Sequence, residues 1–133
     1  MTTDVLCVAE DDNLLNLLET MHALRFRHTP VTTDGRLVGL LAERDLLRIS
    51  ASTLLPNRRE SDQFLHKRFL VKDVMIREVI SISPEASLHH AAKLMQKERV
   101  DCLPVVDGEN RLVGIITCSD FLRLVEQLTE GLV

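Results

Sequence analysis

The sequence has no tryptophan and no tyrosine, and its only aromatics are four phenylalanines. Such a chain is almost transparent at 280 nm, so a bound nucleobase would dominate its ultraviolet spectrum. Cysteine is scarce too: Cys7, Cys102 and Cys118 are an odd number with no C-x-x-C spacing. A disulfide framework and a thiolate zinc site are thereby disfavoured, and a reducing cytoplasm is the simpler setting. With five glycines in all, neither a P-loop nor a G-x-G-x-x-G fingerprint is present. The apolar run Leu37–Ala42 falls far short of the roughly 20 residues a membrane span needs. The opening Met-Thr-Thr-Asp lacks the basic-then-apolar pattern of a secretory leader. Positive charge is also in deficit: 16 Lys and Arg face 20 Asp and Glu, a net of −4 with pI near 5.7. A general nucleic-acid binder needs a basic surface instead.

What remains is a globular composition, 45% hydrophobic and 27% charged over 133 residues. That is one ordinary domain or two very small ones. The decisive feature is an internal repeat. With Met1 set on Met75, Val5 meets Val79, Leu14 meets Leu88, Met21 meets Met95 and Arg25 meets Arg99. Pro30-Val31 falls on Pro104-Val105. After one extra residue in the second copy, Arg36-Leu-Val-Gly39 falls on Arg111-Leu-Val-Gly114, Asp45 on Asp120, and Leu47-Arg48 on Leu122-Arg123.

Both copies read alike. A short β-rich run (Val5–Val8; Val79–Ile82) comes first. A helix start follows at Glu10-Asp11-Asp12 or Ser83-Pro84-Glu85, with Ser83 as N-cap and Pro84 at the first helical position. Apolar residues at 14, 17, 18 and 21, and at 88, 91, 92 and 95, trace one buried helical stripe. Two strands joined by turns at Asp34-Gly35 and Asp107-Gly108 come next, with glycine at positive φ. Leu112–Ile116 reads as an interior strand. A second helix opens near Glu43 or Ser119. The fold class is mixed α/β (α+β): two β-α-β-β-α repeats packed with pseudo-twofold symmetry. The expected boundaries are 1–50, a helical connector at 51–72, and 73–133. The connector carries a basic excess at Arg58, Arg59, Lys67, Arg68 and Lys72. Phe64, Leu65, Phe69 and Leu70 suggest a short amphipathic helix there, either a solvated link or a docking surface.

The repeat resembles a tandem pair of cystathionine β-synthase (CBS) domains, a Bateman module. The motifs that carry the likeness are Val71-Lys-Asp-Val-Met75, Leu103-Pro-Val-Val106 and Gly114-Ile-Ile-Thr-Cys-Ser-Asp120. The V-x-D-V-M lead-in precedes only the second copy, as if the chain were trimmed at Met1 or naturally began without it. The resemblance implies a sensor with no enzymatic activity. Such a module binds an adenosine-containing ligand (AMP, ADP, ATP or S-adenosylmethionine) in clefts between the repeats and controls an attached or associated protein. It also implies a homodimer, and no obligatory cofactor.

The site residues follow from the motifs. Asp120, at a helix start, can accept two hydrogen bonds from a ribose diol, and Thr117 offers a hydroxyl to ribose or phosphate. Backbone N–H groups at that helix start favour an anion. Val100, Cys102 and Leu103 would meet an adenine edge, Pro104 fixes the turn, and the family pattern puts Ser81 in the same cleft. In the first copy Asp45 is kept but Thr117 is replaced by Ala42. Losing one hydrogen bond to a charged group costs about 1.5–3 kcal/mol, or ten- to a hundred-fold in affinity. The first site should therefore be weak or empty, with Arg44, Arg48 or Arg123 available to a phosphate. No metal site is expected: His89 and His90 are adjacent on different helix faces, and His22, His28 and His66 lack ligand spacing. Cys102 and Cys118 are expected to be small buried thiols. No nucleophile has an assignable His and acid. The competing class is a ligand-free dimerisation or protein-interaction scaffold.

Overall fold

The computed structural model describes residues 3, 5–14, 17–52 and 70–132. The expected connector helix around Phe64–Phe69 lies outside the described residues. The chain forms two compact units, residues 6–79 and residues 80–133 with 1–5. Both are mixed α/β.

The first unit contains α1 (Leu17–Leu24), β1 (His28–Thr33), β2 (Arg36–Ala42), α2 (Glu43–Ser52) and a single helical turn, α3 (Val71–Val74). The second contains α4 (Leu88–Glu98), β3 (Cys102–Val106), β4 (Leu112–Thr117) and α5 (Cys118–Thr129). Each sheet is a two-stranded antiparallel hairpin with a bulge at the same place, Val31/Thr32 and Val105/Val106. Among the described residues no helix is long and apolar enough to cross a membrane.

Several expectations are corrected. The leading strands shrink to single parallel bridges, Val8 to Val31 and Ile82 to Val105. The bonds show why. Val8 N–H donates to the Pro30 carbonyl at 3.1 Å and Thr32 N–H to the Val8 carbonyl at 3.0 Å; Ile82 makes the matching pair with Pro104 and Val106. The next rung toward Leu6 or Ile80 would need an N–H from Pro30 or Pro104, and proline has none. Leu112–Ile116 lies at a hairpin edge rather than in a sheet interior, because β4 pairs only with β3 among the described residues.

The helix start moves as well. Ser83 heads a β-turn, Ala86 N–H to Ser83 carbonyl at 3.1 Å, with Pro84 at its second position. The N-cap is Ser87, whose hydroxyl accepts from His90 N–H at 3.0 Å. In the first copy Asp12 closes the equivalent turn by accepting from Ala9 N–H at 2.8 Å. The hairpin turns also differ. Asp34 and Gly35 both have positive φ (52° and 80°), as a two-residue primed turn requires. In the longer second turn the left-handed residue is Asn110 (φ 64°), not Gly108. There the Asp107 carboxylate accepts from Glu109 and Arg111 N–H groups, each at 2.9 Å.

Each unit has its own core. In the first, Leu14, Leu17, Leu18, Met21, Val31, Leu41 and Leu46 are joined by Val71 and Met75 from beyond the connector. In the second, Ile82, Ala91, Met95, Leu103, Val105 and Ile116 cluster. The expected stripe on α4 is incomplete: Ala91 and Met95 are buried, but Leu88 stays exposed.

Candidate ligand-binding site

β4 delivers Thr117 as N-cap of α5 in extended backbone (φ −125°, ψ 167°) and so sets Asp120 at the third helical position. The Thr117 N–H donates to Asp120 Oδ2 at 2.9 Å, and the Thr117 hydroxyl lies 3.4 Å from the same oxygen. A carboxylate at this position satisfies the donor of the capping residue and faces the positive end of the helix. The other oxygen, Oδ1, pairs with the Arg123 guanidinium one turn on. Asp120 is mostly covered while Arg123 is exposed. The Cys118 N–H is taken as well, donating to the Asp101 carbonyl at 3.0 Å. Two amides of the supposed anion site are thus engaged within the protein, because the junction caps itself.

The remaining sequence-derived residues gather in the same unit with unequal access. Ser81 is half-buried beside the Ile82 bridge. Val100 is half-buried, and its N–H donates back to the Met95 carbonyl at 3.1 Å. Leu103 is fully buried and belongs to the core, and the Pro104 carbonyl accepts from Ile82 N–H. The side chains of this stretch that keep solvent access are therefore Val100 and Asp101, just ahead of β3. The cysteines differ from expectation. Cys102 is buried but Cys118, the first residue of α5, is exposed. Burial pushes the Cys102 thiol up to about 12, with Asp101 and Cys118 adding to the shift.

Asp45 and Arg44 belong to the other unit. There Ala42 is buried at the end of β2, Glu43 N–H donates to the Arg27 carbonyl at 2.8 Å, and Arg44 is exposed. Asp45 Oδ1 lies 3.6 Å from Arg48. The Asp-x-x-Arg pair is therefore built twice, at Asp45/Arg48 and Asp120/Arg123. Sequence reasoning treated these arginines as phosphate candidates and missed their pairing, although the repeat had already aligned both partners.

A family model described as the CBS domain matches residues 1–52 and again residues 71–127. The chain belongs to the CBS domain family. It is a tandem CBS pair, and its likeness to solved pairs extends over nearly its whole length. The structure of CBSX2 in complex with AMP superposes with a TM-score of 0.79 at 25% identity, covering 97% of this chain and 94% of that one. The cytosolic domain of the Mg²⁺ channel MgtE in complex with ATP gives a TM-score of 0.70 at 28% identity, covering 93% of this chain and 46% of that one. Among curated relatives, the inosine-5'-monophosphate dehydrogenase of Methanocaldococcus jannaschii is 34% identical over 90% of this chain. This CBS pair spans only 21% of that enzyme's length.

Proposed function

We propose that this CBS pair is a non-enzymatic regulatory module that binds an adenosine-containing ligand, AMP, ADP or ATP before S-adenosylmethionine. The proposed setting is the cytoplasm, where it controls an attached or associated protein. Residues 1–50 and 73–133 act as its two halves, with 51–72 as connector. The binding residues are those of the second repeat: Asp120, Thr117, Ser81, Val100, Cys102, Leu103 and Pro104, the last three, all buried, shaping the backbone. The observation that carries this reading is the Asp120–Arg123 pair. An exposed i,i+3 ion pair is worth little in water, so a ribose diol can replace Arg123 on the covered carboxylate at small cost. Arg123 is then released toward a phosphate. Asp45 and Arg44 form the weaker counterpart, since Ala42 supplies no hydroxyl. The AMP and ATP held by the two similar CBS structures support the ligand class.

The first test is an ultraviolet spectrum of the purified protein, then titration with AMP, ATP and S-adenosylmethionine by calorimetry. An adenine band, or saturable binding that Asp120→Ala weakens ten- to a hundred-fold, is the expected result. Failure of all three ligands at millimolar concentration, with a flat spectrum, would overturn it.

A second reading has its own support. Leu122, Val125 and Leu128 are all more than half exposed, and their spacing puts them on one stripe of α5. We infer that this stripe is where two copies of the chain meet, with or without nucleotide. Sedimentation of the wild type as a dimer and of Leu122→Glu as a monomer is expected. A monomeric wild type at tens of micromolar would remove this reading.

A further inference from the structure

α5 carries a single basic side chain. From Leu112 to Val133 the only Lys or Arg is Arg123, against the acidic Asp120, Glu126 and Glu130. Its guanidinium Nη2 donates to Asp120 Oδ1. The other carboxylate oxygen is already committed, since Oδ2 accepts from Thr117 N–H at 2.9 Å and closes the helix start. The oxygen left for a ribose diol is therefore the one that Arg123 occupies. The Asp120 side chain is 16% exposed and that of Arg123 63%, so the arginine covers the carboxylate from the solvent side.

The contact is of a kind that exchanges easily. One guanidinium nitrogen is used, not the two-pronged fork in which arginine holds carboxylates and phosphates most firmly. The first repeat has it in looser form, with Arg48 Nη1 3.6 Å from Asp45 Oδ1. Helix-surface pairs of this spacing add little to stability. The fold therefore loses little when Arg123 leaves Asp120 for another anion, but a ligand that evicts it must leave the guanidinium somewhere to go.

We propose, resting on the adenosine-binding reading above, that Arg123 selects ligands by the charge they carry at the 5' position of the ribose. A diol that takes Asp120 Oδ1 strips the guanidinium of its anion. A 5'-phosphate supplies a replacement in the same event, and a better one, because phosphate accepts the full fork. Arg123 stands three residues from Asp120, about 4.5 Å of helical rise, which is comparable with the span of a ribose from its diol to its 5' oxygen. A neutral nucleoside offers Arg123 nothing in return. The sulfonium of S-adenosylmethionine brings a second cation beside the first. The ligand class so specified is a nucleoside 5'-phosphate. Arg123 is a stopper in the empty site and a phosphate contact in the filled one, and it disfavours adenosine and S-adenosylmethionine for the same electrostatic reason.

The test is calorimetric titration of the full chain with AMP, adenosine and S-adenosylmethionine, comparing wild type with Arg123→Ala. In the wild type AMP should bind at least ten-fold more tightly than either of the others. In Arg123→Ala AMP should weaken ten-fold or more, while adenosine and S-adenosylmethionine bind as well as before or a few-fold better. Movements in opposite directions do not arise from a general loss of structure, and circular dichroism checks the fold. Arg123→Lys keeps the charge without the fork and should restore part of the preference for AMP. Equal AMP binding by wild type and Arg123→Ala, or parallel weakening of all three ligands, would overturn the selection while leaving nucleotide binding in place. A wild type that binds none of the three at millimolar concentration would overturn the adenosine-binding reading, and the selection with it.

Discussion

Arg25 and Arg99 occupy the same left-handed position after the first helix of each repeat, with φ of 60° and 55°. The next residue closes the helix in both, Phe26 N–H to Met21 at 2.9 Å and Val100 N–H to Met95 at 3.1 Å. Glycine is the usual occupant of such a position, because a side chain there costs about 1–2 kcal/mol. Arg99→Gly should therefore raise stability by about 0.5–1 kcal/mol in urea unfolding, after the entropic penalty of glycine is subtracted. Cys102 gives a second residue-scale prediction, in pH. Its thiol is held up to about 12 in the fold against an ordinary value of 9.0. Below pH 9 the thiol is protonated in folded and unfolded chains alike, and its contribution is fully present. Between pH 9 and 12 only the unfolded chain ionises, so stability falls by about 1.4 kcal/mol per pH unit. Urea unfolding at pH 8, 10 and 11 should show this fall in the wild type and a clearly smaller one in Cys102→Ala, where the raised Cys7 thiol still contributes.

At the scale of elements, the segment after α3 comes close against β2. A Cβ added to Gly39 would lie 2.5 Å from Met75 Sδ and 3.1 Å from the Ile76 carbonyl oxygen. The sulfur can swing away but the carbonyl is held by the Leu40 bridge, so Gly39→Ala should cost about 1–3 kcal/mol as an overpacked contact. Thermal unfolding of the variant tests that value. Elements governed by local spacing were legible in the sequence: both hairpins, the helix starts read near Glu43 and Ser119 (one residue after the observed start at Cys118), and the Asp34-Gly35 turn. Those decided by tertiary hydrogen bonding were not. Nothing near Val5–Val8 reveals that Pro30, over twenty residues away, ends the ladder after one rung. Ser83 and Ser87 are both good caps, and the turn begun by Pro84 delays the helix to the later one. The candidate site was half legible. Duplication exposed Asp45 and Asp120, whereas their engagement by Thr117, Arg48 and Arg123 depends on helix geometry that spacing alone left unassigned.

For the whole molecule, the informative fact is that the first core is completed by Val71 and Met75, which lie beyond the connector. Val71→Ala should therefore cost about 2 kcal/mol and speed amide exchange in α1, although the two are separated by almost fifty residues of chain. Hydrogen exchange followed by mass spectrometry reads this directly. The same arrangement sets an order of events during synthesis. A ribosome that has released residue 52 has made every element of the first hairpin and its helices, yet the first unit still lacks its closing turn. At about 5–20 residues per second, the twenty-odd residues up to Met75 take on the order of one to five seconds more. For that interval Leu14 and Leu46 are left without their cover, and a chain stalled or cut inside the connector would release a first half that stays open and sticky.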